Sequence, residues 1–202
     1  MKNKITILNI AGGKLKPLDL PVKDSYFLVN LDTMYLQDDW TKNFENEHEE
    51  WKAPQHTYNQ TTYISYDAYT FLERYRVKFD RICIYRFMEH VPLDKILYFI
   101  YLLSTAVEIG GTVDVIVPNI EQLAVKILAE NDLSIDEFPA HDILVTSEVV
   151  NEASSPHLSL WSPLRAKYYF ELEGRFLVGD IQVPFEFDGR SIYMRFQARR
   201  IK

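Results

Sequence analysis

One cysteine stands in 202 residues, Cys83, so no internal disulfide can form. Its place inside the apolar run RICIY marks it as a small buried hydrophobe rather than a reactive thiol. No run of about 18 apolar residues occurs, and the opening MKNKITILNI turns polar too quickly for a secretory leader. Both absences predict a soluble, cytoplasmic protein with no membrane partner. Positive charge is also scarce: 22 Lys and Arg face 29 Asp and Glu, a net charge of -7, which argues against a nucleic-acid partner gripped along its phosphates. The basic tail RFQARRIK reads as the solvated edge of a last strand. The five histidines are scattered and His48 sits among carboxylates in ENEHEE, so no metal site is expected. No internal repeat is present. Nor is there a G-x-G-x-x-G opening a helix, which a nicotinamide enzyme would want.

What is present is enough apolar material, 47% of the chain, to bury one core, and a single domain over 1–202 is the expectation. Apolar runs of strand length fall at Ile5 to Ile10, Tyr26 to Leu31, Thr62 to Ser65, Arg81 to Tyr85 and Thr112 to Val117. Several are continuous rather than alternating, as in strands covered on both faces of a parallel sheet. Between the last two lies VPLDKILYFIYLLSTAVEIGG, with Pro92 suited to a first turn, Ile96, Ile100, Leu103 and Val107 at helical spacing, and Gly110-Gly111 as a stop. Asp67 can cap a helix over Ala68 to Tyr75, and Asn119 with Gln122 another from Ile120 to about Glu130. Ser162-Pro163 starts a helix that Gly174 ends, and Asp188-Gly189 joins a final antiparallel hairpin. The fold class is therefore α/β: an open, Rossmann-like, mostly parallel sheet flanked by helices, with a C-terminal antiparallel β-hairpin. Two long stretches, about 37–60 and 131–156, read as irregular insertions of the kind that form lids or binding loops.

In open parallel sheets ligands settle at the carboxyl ends of the strands, near the reversal of strand order. After the first strand comes Ala11-Gly12-Gly13, where small residues let the backbone approach a ligand. After the second comes Asp32, able to accept hydrogen bonds from both hydroxyls of a ribose. Asp67 lies near the third end, and Tyr85-Arg86-Phe87-Met88-Glu89-His90 follows the fourth. Each also has a plain structural reading: a turn for the glycines, a helix cap for Asp67, capping and pairing ahead of Pro92 for Glu89 and His90.

LNIAGG, then NLD, then FDRICIYRFMEHVPLDKILYFIYLLSTAVEIGGTVDVIVPN resembles the class I S-adenosylmethionine-dependent methyltransferases, in the branch with an LN-x-G-C-G turn, an N-x-D second strand and an E-H-V-P segment. The later HLSLWSPLRAKYYFELEGRFLV is similar to the same branch's stretch before its final hairpin. The resemblance implies S-adenosyl-L-methionine as cofactor, with Asn9, Ala11, Gly12 and Gly13 around its methionine part. It further implies Asp32 on the ribose, Asp67 by the adenine, and Tyr85, Arg86 and Phe87 as the floor beneath the sulfonium. Ala11 replaces the family's usual glycine, and Pro17 and Pro21 leave little room for a regular first helix.

Methyl transfer needs alignment, exclusion of water and a base only where the acceptor must lose a proton. His90 and, more weakly, His157 are the candidate bases. The expected activity is methylation of a small-molecule or glycan acceptor, with residues 131–161 and the mouth around His90 positioning it and residues 37–60 as a lid over the cofactor. The alternative is a catalytically inactive methyltransferase-like binding or assembly subunit, meeting a protein partner through aromatics read as exposed: Trp40, Trp51, Tyr58 and Trp161.

Overall fold

Runs of apolar residues too continuous for a one-sided sheet become strands enclosed between two layers. The computed structural model describes residues 4–11, 17–21, 25–31, 55–58, 61–64, 66–129, 158–187 and 189–202. In chain order the elements are β1 (Ile5–Ile10), β2 (Tyr26–Leu31), β3 (Gln55–Tyr58), β4 (Thr61–Ile64), α1 (Ala68–Arg74), β5 (Phe79–Tyr85), α2 (Ile96–Ala106), β6 (Val107–Pro118), α3 (Ile120–Ala129), α4 (Pro163–Glu171), β7 (Phe176–Val178), β8 (Gln182–Phe187) and β9 (Arg190–Arg200). The strands form one sheet in the order β3-β4-β2-β1-β5-β6-β9-β7, with β8 also paired to β9. β4, β2, β1, β5 and β6 run parallel; β9 enters antiparallel to β6, and β7 and β8 follow one another along its outer edge. This is the expected open sheet with an antiparallel C-terminal end.

Alternation along each strand divides the core. Leu8, Ile10, Ile82, Ile84, Val113 and Val115 face one layer, where Phe71 and Leu72 of α1, Phe99 and Leu103 of α2, and Phe170 of α4 pack on them. Ile7, Leu28, Cys83, Tyr85 and Ile116 face the other, under Leu123 of α3, Phe187 and the partly buried Leu18 and Leu20. Cys83 is fully buried and burial pushes its thiol up to about 12, the inert state its surroundings in sequence suggested. Asp67 caps α1 through a hydrogen bond from Thr70 N to its Oδ1 at 2.9 Å. Ser162 caps α4 by accepting from Arg165 N.

Three sequence expectations change. The stretch read as irregular at 37–60 holds a strand at its end: β3 pairs antiparallel with β4 from Gln55↔Ile64 to Tyr58↔Thr61, and the Thr and Tyr of these two runs suit that pairing. The α2 helix stops at Ala106 rather than at Gly110-Gly111, because Val107 is already extended and begins β6. The glycines serve the strand instead. A Cβ at Gly111 would lie 2.7 Å from the Asp80 carbonyl oxygen, where the β5–β6 register shifts. Trp161 is 1% exposed, so it is a core residue and not a surface aromatic. Among the described residues no helix is long and apolar enough to cross a membrane.

Between β1 and β2 the described residues 17–21 are not helical, as Pro17 and Pro21 imply. A charge network fastens this segment to the sheet. Asp114 of β6, fully buried, accepts from Arg81 of β5, from Arg195 Nε and Nη2 of β9 at 3.1 and 3.0 Å, and from the Tyr85 hydroxyl at 2.9 Å. Arg195 reaches on to Asp19 at 2.6 Å, Arg81 Nη1 donates to the Asp19 carbonyl, and Leu18 N donates to the Tyr85 hydroxyl at 3.1 Å. The hydrogen bond from Arg195 holds the Asp19 carboxyl below its usual range.

Candidate functional site

Strand order reverses between β1 and β5: β2 and β4 lie to one side, β6 and β9 to the other. The carboxyl ends of these two strands therefore flank the crevice in which such sheets hold ligands. Both chains leave the sheet there through left-handed backbone on non-glycine residues, Ala11 at φ 52° and Arg86 at φ 57°. Each departure is anchored outward, Ala11 N to the Leu31 oxygen at 2.7 Å and Arg86 N to the Ile116 oxygen at 2.8 Å. The chain thus turns aside on both flanks of the reversal.

A β-carbon in left-handed backbone costs roughly 1 to 2 kcal/mol, and glycine recovers this while adding unfolded-state freedom. Ala11→Gly is accordingly expected to raise stability by about 0.5 to 1 kcal/mol, measured by urea unfolding. A loss of stability instead would mean that the Ala11 methyl, packed beside the core, outweighs the backbone strain.

Of the residues singled out in the sequence, Asn9 is buried and donates from Nδ2 to Asn30 Oδ1 at 2.9 Å, tying β1 to β2. Asp67 is exposed beyond β4, with Oδ1 shared by the amide and hydroxyl of Thr70 at 2.9 and 3.1 Å. Tyr85 points into the layer under Leu18, its hydroxyl committed to Asp114 and Leu18 N, so at the crevice it offers backbone. Arg86 is exposed and Phe87 half-buried, the Phe87 ring 5.5 Å from that of Phe99. His90 is half-buried and closes a 3₁₀ turn over Met88–His90. Gly12, Gly13, Asp32 and His157 lie outside the described residues, as do most of 37–60 and all of 131–156.

The structure adds Tyr69, and gives Asn119 and Glu89, which the sequence offers as capping or pairing residues, a further feature each. Tyr69 of α1 packs its ring 5.0 Å from Phe99. Its buried hydroxyl has no partner among the described residues, and burial, with Asp67 and Asp94 nearby, pushes it up to about 12. Asn119, at the end of β6, caps α3 through Oδ1 while its Nδ2 is buried and unpaired among the described residues. Glu89 is 2% exposed and its Oε2 is likewise without a partner. Burial pushes the Glu89 carboxyl up to about 8, against weaker opposing pulls from its own backbone amide and Arg86.

A carboxyl raised from its ordinary 4.5 to about 8 binds its proton in the folded state where the unfolded chain has released it. Stability should therefore fall as pH rises from about 4.5 to about 8 and level off above. Melting curves of wild type and Glu89→Gln across that range test this: the variant should lose this part of the pH dependence and gain relative to wild type at pH 8.

The turn carrying Glu89 is clamped by the segment that returns from 131–157. The Glu89 carbonyl accepts from Leu158 N at 2.7 Å and Ser159 N at 3.0 Å. The Met88 carbonyl accepts from Ser159 Oγ at 3.0 Å and Trp161 Nε1 at 3.3 Å. Ile120 N donates to the Trp161 oxygen at 3.0 Å, so the ends of β5 and β6 are held together by one strap.

No family model matches the sequence, and no curated protein matches it. Solved structures do match in fold. The magnesium protoporphyrin IX methyltransferase of Synechocystis PCC 6803, with bound SAH, aligns at a TM-score of 0.56 with 12% identity, over 98% of this chain and 75% of that one. Human N-acetylserotonin methyltransferase in complex with SAM gives 0.57 with 15% identity, over 97% of this chain and 47% of that one, so this chain spans about half its length. A complex containing the Trm112 methyltransferase activator of Haloferax volcanii gives 0.58 with 9% identity, over 99% and 83%. At such identities the likeness establishes the fold, the Rossmann-like sheet that S-adenosylmethionine-dependent methyltransferases use.

Proposed function

We propose that the chain binds S-adenosyl-L-methionine at the carboxyl ends of β1, β2, β4 and β5 and transfers its methyl group to a small-molecule or sugar-like acceptor. The observation that carries this is the paired departure at Ala11 and Arg86 on the two sides of the strand-order reversal, in a fold shared with structures holding SAM or SAH. The groups near these strand ends suit such a ligand: carboxyl groups at Asp67 and Glu89, aromatic rings at Tyr69 and Phe87, and a buried carboxyl oxygen, Glu89 Oε2, that lacks a partner among the described residues. When bound, the cofactor supplies a methyl group on a positively charged sulfur.

The chain's own contribution is placement and dryness. Asn9, Ala11, Gly12 and Gly13 would approach the methionine part, Asp32 the ribose and Asp67 the adenine. Tyr85, Arg86 and Phe87 would form the floor through backbone and the Phe87 ring. His90, and His157 if the 131–157 segment carries it to the mouth, would take the acceptor's proton. The strap of residues 158–161 ties that segment to the turn bearing His90, which supports an acceptor site beneath it.

Thermal shift with SAM and with SAH tests this reading. Both should raise the melting temperature, as any ligand of the folded state does. If neither does at millimolar concentration, the second reading takes over: a methyltransferase-like binding subunit, which the strained Ala11 turn and the non-helical 17–21 segment favour.

A further inference from the structure

Glu89 stands four residues past Tyr85, the last residue of β5, in the middle of the 3₁₀ turn on one flank of the crevice. Its backbone is fixed by Leu158 and Ser159, and Met88 beside it by Ser159 and Trp161. Against that rigid frame its carboxyl group is enclosed, and Oε2 meets no hydrogen-bond donor among the described residues. A buried acceptor without a donor is unfavourable and calls for a reason. The neighbours do not provide one. The strap's Ser159 hydroxyl and Trp161 indole donate to the Met88 carbonyl instead, Met88 and Val91 in the same segment are apolar, and no salt bridge to Glu89 exists among the described residues. Among the described residues Arg86 is the charged side chain whose field acts on it, and its pull is outweighed by burial.

We propose that Glu89 is the counter-ion of the methyl donor, its unpaired Oε2 answering the sulfonium charge and so distinguishing S-adenosylmethionine from its uncharged demethylated product. This rests on the methyl-donor reading above. Enclosed and neutral in the empty protein, the carboxyl ionises when a cation arrives, and its proton leaves to solvent. The thioether product carries no such charge, so its binding leaves the carboxyl protonated. The same group then helps product release, since Glu89 regains its proton once the sulfonium is spent.

The test is calorimetric titration of SAM and SAH at pH 6.5 in two buffers of different ionisation enthalpy, where the α-amino groups of both compounds hold their protons. Wild type should release close to one proton per SAM bound and none per SAH. SAM affinity should rise by up to about tenfold per pH unit between pH 5.5 and 7, with SAH affinity flat. Glu89→Gln should abolish the proton release and weaken SAM about 10-fold while leaving SAH within about twofold. Equal proton release for the two compounds, or a Glu89→Gln variant that keeps the wild-type preference, overturns the counter-ion assignment and leaves the methyl-donor reading standing. Failure of the wild type to bind either compound overturns both.

Discussion

Replacing Asp114 with alanine is expected to destabilise the protein by about 3 to 5 kcal/mol, the range for removing one partner of a buried ionic cluster. Asp114 has no exposed surface and is the common acceptor for Arg81, Arg195 and Tyr85 on the strands to either side. Its removal leaves two guanidinium groups facing a space that apolar neighbours and little water can fill. The Arg195 pKa lies above its ordinary value chiefly through its hydrogen bond to Asp114. Asp19 alone cannot replace that support, since its side chain is 72% exposed and its pairing is screened by solvent. Urea unfolding of wild type, Asp114→Ala and Asp114→Asn measures the effect. The asparagine variant should fall between the other two, because it keeps the shape and loses the charge. A loss below about 1 kcal/mol for alanine would place the network among ordinary solvated ion pairs.

Asp32→Ala is expected to weaken SAM and SAH alike by about 10-fold to 100-fold. A carboxylate accepting from two ribose hydroxyls makes two charge-assisted hydrogen bonds, each worth roughly 1.5 to 3 kcal/mol, and about 1.4 kcal/mol is one decade of affinity. Asp32 directly follows β2, whose last residue Leu31 accepts the amide of Ala11 at 2.7 Å. The second strand end is thereby tied to the turn proposed to meet the methionine part. Calorimetric titration beside a melting curve separates the readings: a ribose ligand loses affinity and keeps stability, whereas a turn or cap residue loses about 1 kcal/mol of stability and leaves affinity unchanged. Equal weakening of both compounds also distinguishes Asp32 from Glu89, whose loss should affect the charged compound alone.

Strands buried on both faces were readable because their runs are continuous: Ile5–Ile10 and Tyr26–Leu31 have the same limits in sequence and structure. Caps at Asp67 and Ser162 were readable because the side chain that makes the bond sits next to the helix it starts. What escaped depended on partners far along the chain. Asp114 lies 33 residues from Arg81 and 81 from Arg195, and in sequence it is one acid in an apolar strand. Trp161, read in sequence as an exposed aromatic, is buried because its indole donates to the Met88 carbonyl, 73 residues away. Glu89 was visible as an acid beside a histidine and a proline, a setting that suits capping. Only the strap of residues 158–161 shows that the turn is enclosed and that one carboxylate oxygen is left over. Tyr85 shows the same limit from the other side, since its position after apolar Ile84 says nothing of which layer its hydroxyl enters.

The claim beneath the binding expectations is that the crevice between the carboxyl ends of β1 and β5 is the cofactor site. A crystal structure of the protein grown with SAH tests it most directly. The account predicts the nucleoside across the ends of β2 and β4, the amino-acid part against residues 9–13, and the thioether sulfur beside the turn that carries Glu89. SAH found elsewhere on the molecule, or crystals from millimolar SAH with this crevice empty, would contradict it.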